Sequence, residues 1–432
     1  MNPHLRAWYA VGLLMLANLS GFIDRLILVL LVEPLQRDLG LSLTQTGLLI
    51  GLPFAIFYSL LGLPIARLAD RWSRRNVIAG GIALWSVMTA VCGLAGSYGR
   101  LLLARTGVGV GEASLQAPAT ALIADLFPRE RLGSAMSVYS TGVFLGSGLA
   151  YFIGGWIVGL VSAQTMWTLP VIGAIRPWQT VFFFVGLPGL LISLLMMTVK
   201  EPARTQAAPR AEPFSALFAF MHGHLRTFTT LITGYTLSSM VNWGIAIWLA
   251  HFLALKYGWP ASRAGMLQGV LTMTIGTVGV LSGGRIADGM VRRGISDAPL
   301  RVGIIGAAGM LVSATRYPFA DTANGAVAWL VVVNFFAALP WGAASAAAAG
   351  IVPGRMRAQG TAFFYLILNL VSFALGPWAV GWIADHVFGG DAGLGYSLAV
   401  VNVFGMVGAI VFFALALPAY RKTVATLATS ST

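Results

Sequence analysis

Stretches of about twenty mostly apolar residues recur along the whole chain, and they restrict its fold more than any other feature. An α-helix rises about 1.5 Å per residue, so it needs about 20 residues to cross the hydrocarbon core of a bilayer. Twelve such windows occur: 7–32, 44–66, 76–97, 99–124, 133–161, 178–199, 228–255, 261–286, 301–318, 325–350, 359–385 and 395–418. Because the bilayer core offers backbone groups no water to bind, each window must form a helix. The sequence therefore predicts an all-α integral membrane protein with twelve transmembrane helices.

The composition agrees with this class and excludes a soluble domain. Hydrophobic residues make up 57% of the chain and charged residues only 9%, whereas a soluble domain carries about 25% charged residues. The formal net charge of +13 does not indicate nucleic-acid binding, because 19 of the 27 Lys and Arg fall in cytoplasmic segments if the N-terminus is cytoplasmic. This distribution follows the positive-inside rule and, with an even number of spans, predicts that both termini are cytoplasmic. The short loops suggest a bacterial protein of the inner membrane.

Catalytic and metal-binding chemistry finds little support in the sequence. Cys92 is the single cysteine, so an internal disulfide and a cysteine-based metal site are excluded. The five histidines are scattered, and only His386 adjoins a carboxylate, Asp385. An active site would instead need clustered polar groups. We therefore expect no enzyme activity, no metal and no organic cofactor.

The two halves of the chain repeat each other. Residues 66–75 (ARLADRWSRR) align with residues 284–293 (GRIADGMVRR) at an offset of 218. Between the halves lies a polar stretch rich in Pro and Ala, which predicts an N-terminal half at 1–199, a cytoplasmic linker at 200–226 and a C-terminal half at 227–432. Two repeated six-helix halves are typical of secondary transporters, which bind substrate near the midplane and work by alternating access.

Ionisable residues inside the predicted helices are candidates for function. Asp24 lies in the first window, and Arg105 and Glu112 lie in the fourth. A charge at membrane depth costs at least about 2.5 kcal/mol, so such residues usually mark a substrate or proton path. Arg105 and Glu112 are seven residues apart, hence on one helix face and about 10 Å apart along the axis. Asp24 and Arg105 are expected at the same level, with Glu112 deeper.

We interpret these residues as a proton-coupling site. In this hypothesis Asp24 and Glu112 take up and release protons, while Arg105 binds whichever carboxylate is ionised and releases it on protonation or in exchange for an anionic substrate. A fixed structural ion pair is the alternative. Arg25 lies about 100° around the helix from Asp24, so it contacts either another helix or the substrate.

Two motifs resemble the major facilitator superfamily. Residues 66–75 are similar to its signature Gly-x-x-x-Asp-Arg-x-Gly-Arg-Arg, and residues 105–113 (RTGVGVGEA) are similar to its Arg-x-x-x-Gly-x-Gly pattern. The resemblance implies two pseudo-symmetric six-helix halves, a monomer, and a cavity lined by spans one and four. It also implies a cytoplasmic gate, whose residues would be Asp70, Arg71, Arg74, Arg75 and Asp125. In span five, Ser147 stands where the antiporter motif has proline, which weakens an antiport assignment.

Three stretches further resemble the Spinster family of lipid transporters. They are Phe22-Ile-Asp24-Arg25, residues 58–64 running into 69–75, and residues 109–113 running to Pro118 and to residues 125–128. Together they cover the first 160 residues or so, while the second half resembles the family only in architecture. This resemblance implies a lipid-like substrate.

The remaining substrate-binding candidates suggest an amphiphile. The spans of the second half carry no comparable charges, and its candidates Asn242, Trp243, Asn334 and Asn369 are uncharged. In the first half the candidates are Arg25, Tyr58, Arg105 and Glu112. A charged head near the first group and an apolar body near the second would suit a lysolipid or a lipid phosphate. We therefore predict a proton-coupled secondary transporter of an amphiphilic anion, with a proton symporter of a small organic anion or sugar acid as the alternative.

Overall fold

The computed structural model describes residues 3–127, 129–162, 166–169, 173–201, 214–353 and 356–430. Between residues 3 and 196 the helices are α1 (Pro3–Leu26), α2 (Val32–Leu39), α3 (Leu43–Arg71), α4 (Arg74–Cys92), α5 (Tyr98–Glu112), α6 (Gln116–Leu126), α7 (Arg129–Val161) and α8 (Pro177–Met196). Between residues 214 and 430 they are α9 (Phe214–Gly223), α10 (Leu225–Tyr257), α11 (Ala261–Leu271), α12 (Thr277–Arg292), α13 (Ala298–Arg316), α14 (Ala323–Ala338), α15 (Trp341–Gly350), α16 (Arg357–Val387) and α17 (Leu394–Ser430).

The predicted all-α membrane class is confirmed. Within the described residues, ten helical segments are long and apolar enough to cross a membrane: His4–Leu39, Leu43–Ala69, Arg74–Cys92, Pro177–Met196, Leu225–Tyr257, Ala261–Arg292, Ala298–Phe319, Ala323–Gly350, Gln359–Val387 and Gly390–Leu427. The two remaining predicted windows fall on α5 with α6 and on α7. The chain is therefore a multi-pass membrane protein.

Polar residues at the helix starts explain where several spans begin. Ser42 and Gln45 form a reciprocal capping box at the start of α3, and Ser73 and Ser97 accept hydrogen bonds from the first turns of α4 and α5. Each hydroxyl satisfies a backbone N–H that has no partner within the helix. These caps set the edges of three apolar windows.

Span four differs from the expected continuous helix, because α5 and α6 are separated by a turn at residues 113–115. The amides of Ser114 and Leu115 bond three residues back, to the carbonyls of Gly111 and Glu112. Pro118 has no N–H, so it cannot bond to the carbonyl of Ser114, and its ring disfavours a regular helix there. The turn leaves Glu112 at the end of α5.

Two further details were not expected from the sequence. A short antiparallel hairpin, β1 (Trp167–Leu169) with β2 (Gly173–Ile175), lies between α7 and α8 and pairs Trp167 with Ile175. The first span also continues beyond residue 32, because a 3-10 turn at Ile27–Leu31 leads directly into α2. Gly40, with a φ of 64°, ends that helix in the left-handed conformation that glycine adopts without strain.

The chain divides into two compact units. Unit 1 comprises Met1–Thr205 and Ile247–Met273, and unit 2 comprises Gln206–Ala246 and Thr274–Thr432. In unit 1, α4 and α5 approach closely, since a Cβ on Gly111 would lie 2.6 Å from the backbone nitrogen of Trp85. The halves at 1–199 and 227–432, with the linker at 200–226, stay a prediction, and most of that linker lies outside the described residues.

Candidate functional site

A buried ion pair joins the ends of α1 and α5 in unit 1. Arg25 Nη2 donates to Glu112 Oε2 at 2.6 Å, and the two side chains are only 16% and 4% exposed. A charge-assisted hydrogen bond of this length is among the stronger polar contacts in proteins. The sequence suggested Arg105 as the partner of Glu112, whereas the structure places Arg25 there.

Aromatic rings surround the Arg25 guanidinium. Its central carbon lies 4.0 Å from the ring centroid of Phe54, 5.2 Å from Phe22 and 5.3 Å from Tyr58. Phe54 and Tyr58 stack on each other at 5.0 Å. These distances allow cation–π attraction, which holds the cation against an apolar wall. The spacing of Phe54 and Tyr58, four residues apart on α3, is the signal that could have predicted this cage.

The ion pair forms part of the wall of a small cavity, whose empty space, with the open solvent at its mouth, is about 250 Å³. Its lining residues are Asn18, Gly21, Arg25, Tyr58, Glu112, Leu115 and Gln116. The amides of Asn18 and Gln116 were missed by sequence reasoning, because an amide in a membrane helix more often serves packing. Gln116 Oε1 accepts a hydrogen bond from the Tyr139 hydroxyl at 3.1 Å. The cavity thus combines a cation, a carboxylate, two amides and a phenol.

Arg105 has a different role in this structure from the one expected. It is fully buried, and its Nη1 donates to the backbone carbonyl of Asp24 at 2.9 Å and its Nη2 to that of Arg25 at 3.4 Å. Carbonyls at the end of a helix lack helical partners and carry partial negative charge, so a cation there is stabilising. That Arg105 binds whichever of the Asp24 and Glu112 carboxylates is ionised stays a prediction.

Asp24 lies beside Arg105 in a buried polar cluster. Its carboxyl is 0% exposed, and Thr89 and Trp85 of α4 are the hydrogen-bonding side chains next to it. In the described part of the chain, neither carboxyl oxygen has a hydrogen-bond partner of good geometry, nor do the Thr89 hydroxyl and the Trp85 indole nitrogen. Buried polar groups are rarely left without partners, so this cluster needs an explanation.

The candidate gate residues form contacts inside unit 1. Arg74 pairs with Asp125, and Arg75 Nη1 donates to the carbonyls of Met197 and Val199 at 3.3 Å each. Arg71 is exposed, and the side chain of Asp70 lies outside the described residues. The gate function of these five residues stays a prediction.

Glu201 is a member of this cluster that the sequence did not reveal. It accepts a hydrogen bond from the backbone amide of Arg74 at 2.8 Å and another from the Ser73 hydroxyl. Its carboxylate therefore lies at the positive N-terminus of α4, a favourable position for a negative charge. The sequence did not predict this contact, because Glu201 lies in the polar stretch that was assigned to the linker.

Unit 2 contains a small uncharged cavity, whose empty space, with the open solvent at its mouth, is about 290 Å³. Its lining residues are Tyr235, Ser238, Ser239, Asn242, Ala337, Pro340, Trp341, Ala344 and Leu368. Of the predicted candidates, Asn242 lines it, whereas Trp243, Asn334 and Asn369 do not. Trp243 packs against Phe373 at 4.7 Å, and Asn334 Nδ2 donates to the carbonyl of Leu330.

Comparison with known proteins is consistent with these features. The family model of the Major Facilitator Superfamily matches residues 13–314. An MFS-type efflux pump of Mycolicibacterium smegmatis is 28% identical over 424 residues, which are 97% of this chain and 94% of that protein. A probable L-galactonate transporter of Escherichia coli is 25% identical over 401 residues, 87% of this chain and 83% of that protein.

Among solved structures, a bacterial homologue of the human lysosomal transporter Spinster, in an inward-facing and unoccupied conformation, is also similar. The match has a TM-score of 0.84 at 28% identity and covers 98% of each chain. Together with the family model, this match confirms both resemblances seen in the sequence. The chain belongs to the Major Facilitator Superfamily, and within it the chain is similar to transporters of the Spinster type.

Proposed function

We propose that this protein is a proton-coupled secondary transporter of an amphiphilic anion, a lysolipid or a lipid phosphate, which works by alternating access. The observation that carries this proposal is the Arg25–Glu112 ion pair in the wall of the unit 1 cavity. Arg25 is the cation available to an anionic head group there. The Glu112 carboxylate pairs with the Arg25 guanidinium until a proton neutralises that carboxylate.

Charge balance links the anion to a proton. Arg25 and Glu112 together are neutral, so an anion that replaced Glu112 on Arg25 would leave an excess negative charge in a poorly solvated site. An unpaired buried charge is strongly unfavourable. A proton on Glu112 removes that excess, and the neutral acid can then donate a hydrogen bond to the amides of Asn18 or Gln116 or to the substrate. We infer that proton and anion bind together.

Asp24 is the second proton-exchanging group in this proposal. Burying an ionised carboxylate without hydrogen-bond donors costs roughly several kcal/mol of free energy. Binding a proton neutralises the group and removes most of that cost. The Thr89 hydroxyl and the Trp85 indole lie beside the carboxyl, so a small movement of α1 against α4 would supply donors for the ionised form. In this proposal the Asp24 carboxyl therefore binds or releases its proton when α1 moves against α4.

An amphiphile suits the surfaces better than a fully polar substrate does. The cation of the unit 1 cavity is held by three aromatic rings. The unit 2 cavity presents Trp341 and Leu368 beside hydroxyl groups and one amide, with no formal charge among its lining residues. The rings around Arg25 favour a substrate with apolar groups beside its anionic head, and the uncharged lining of the unit 2 cavity favours a ligand group without charge.

A proton symporter of a small organic anion or sugar acid is the second candidate. The resemblance to a probable L-galactonate transporter favours it, as do the two amides beside Arg25, which can bind sugar hydroxyls. For either substrate we propose that the protein is a monomer in the inner membrane with both termini in the cytoplasm. The distribution of Lys and Arg supports this topology.

The test is a proton-flux assay with the purified protein in liposomes that contain a pH-sensitive dye. A lysophospholipid is added to the wild type, to Glu112→Gln and to the control Glu33→Gln, which changes an exposed carboxylate of α2. We expect a lipid-dependent proton flux in the wild type and the control and none in Glu112→Gln. Flux with a sugar acid but not with lipid would support the second candidate. An undiminished flux in Glu112→Gln would contradict a coupling role for that residue.

A further inference from the structure

A buried carboxylate orients two arginines at one end of unit 2. Asp297, directly before α13, is 1% exposed, and it accepts hydrogen bonds from Arg301 Nε at 2.9 Å and from Arg421 Nε at 2.7 Å. Arg301 lies in the first turn of α13, and Arg421 lies near the end of α17. The carboxylate thus brings two guanidinium groups from different helices to one point.

This arrangement leaves positive charge unneutralised. One carboxylate serves two cations, and the arginine side chains remain 43% and 53% exposed. Each guanidinium donates its Nε–H to Asp297, and among the described residues its Nη groups have no hydrogen-bond partner, so they can bind a further acceptor. Arg292, Arg293 and Lys422 are exposed and lie within five residues of the cluster in sequence, and Asp288 on α12 lies four residues before Arg292.

The cluster lies where two membrane helices end. The spans Ala298–Phe319 and Gly390–Leu427 contain Arg301 and Arg421 within two turns of an end. Lipid head groups occupy this level of a membrane, and basic pockets between transmembrane helices bind anionic head groups. Arginine suits a phosphate well, since its planar fork can donate two parallel hydrogen bonds.

We propose that Arg301 and Arg421, oriented by Asp297, form a binding site for the phosphate of an anionic phospholipid of the surrounding membrane. The site lies outside both cavities described above, and it requires neither proton coupling nor a particular transported substrate. A bound phosphate would neutralise the excess charge and join α13 to α17 more firmly. The lipid is therefore expected to stabilise the protein.

The test measures the thermal unfolding midpoint of the purified full chain in uncharged detergent. Phosphatidylglycerol is compared with phosphatidylcholine of the same acyl chains, and the measured quantity is the difference between the two midpoints. We expect phosphatidylglycerol to raise the wild-type midpoint by about 3 °C or more relative to phosphatidylcholine, as binding to the folded state requires. Arg301→Gln and Arg421→Gln should lose most of this difference.

Arg316→Gln is the matched control, because Arg316 lies at the opposite end of α13. It should keep the full lipid-dependent difference. A purely structural role for the Asp297 cluster predicts a lower midpoint in both lipids and an unchanged difference between them. That result, or an equal effect of both lipids on the wild type, would overturn the proposal.

Two further arms keep the test decisive. Inorganic phosphate alone should not reproduce the stabilisation, and a phosphate effect as large as that of phosphatidylglycerol would contradict a lipid site. If the glutamine variants do not fold, Arg421→Lys keeps the charge and loses the planar fork, so the lipid-dependent difference should shrink. An undiminished difference in this variant would count against the arginine clamp.

Discussion

At the scale of single residues, burial and hydrogen bonding separate four charged residues of unit 1 into two kinds. Arg25 and Glu112 form a close pair at a cavity wall. Asp24 and Arg105 are fully buried, and Arg105 serves backbone carbonyls rather than either carboxylate. The sequence located all four charges but not these pairings, since the rotation of α1 against α5 depends on how both helices pack with their neighbours.

The first prediction at this scale concerns Asp24→Asn. Among the described residues its carboxyl oxygens have no hydrogen-bond partner of good geometry, so replacing the acid by a neutral group of the same shape should not lower the unfolding midpoint, and it should reduce proton flux. Asp38→Asn is the control, because Asp38 accepts from the Trp178 indole at 2.9 Å and pairs with Arg37 and Arg176.

Thermal unfolding and the liposome assay measure both effects. Loss of a hydrogen-bonded carboxylate in the Asp38 variant should cost about 1–3 kcal/mol. If Asp24→Asn instead lowered the midpoint by several degrees and left proton flux unchanged, Asp24 would be a member of a fixed structural ion pair.

At the scale of elements, small residues set how closely the helices pack. On α7 and α11 of unit 1, a Cβ on Gly155 would lie 2.7 Å from the carbonyl oxygen of Ser262, and a Cβ on Gly269 would lie 2.5 Å from that of Gly148. Backbone atoms cannot move aside as the end of a flexible side chain can. The two helices therefore approach as closely as they do only because these positions carry no side chain.

Gly269→Ala should accordingly destabilise the protein. Overpacking typically costs about 1–3 kcal/mol, so we expect a lower unfolding midpoint and a lower yield of folded protein. Gly80→Ala on α4 is the matched control, because a Cβ there would meet no atom within 4 Å. That variant should be neutral or slightly stabilised, since alanine favours a helix by about 1 kcal/mol over glycine. Equal midpoints for the two variants would refute the close packing of α7 and α11.

At the scale of the whole molecule, the two units differ in chemistry. Unit 1 contains the charged cavity and unit 2 contains an uncharged one. The sequence predicted this difference from the distribution of intramembrane charges. It also predicted an orientation in the membrane from the distribution of Lys and Arg.

Cysteine labelling in intact cells tests that orientation. In a Cys92→Ser background, single cysteines replace Arg6 near the N-terminus, Ala425 near the C-terminus and Asp321 between α13 and α14. A membrane-impermeant maleimide should label the Asp321→Cys protein in intact cells and the two terminal variants only after permeabilisation. Labelling of either terminal variant in intact cells would contradict cytoplasmic termini.

The sequence by itself determined the class, the helical windows, the internal repeat and the family resemblance. These properties depend on local composition and spacing, because a bilayer imposes helix length and excludes charge without reference to the rest of the fold. Periodicity likewise showed that Arg105 and Glu112 share a helix face.

Only the tertiary structure decided which groups meet. The pairing of Glu112 with Arg25, the aromatic cage around that arginine and the carboxylate shared by Arg301 and Arg421 join different helices, and the cap formed by Glu201 joins α4 to the segment after α8. Such contacts depend on helix rotation and approach, which are set by side chains and glycines far apart in the chain. A single helical sequence contains no information about its neighbour's position, so these partners could be found only in the packed structure.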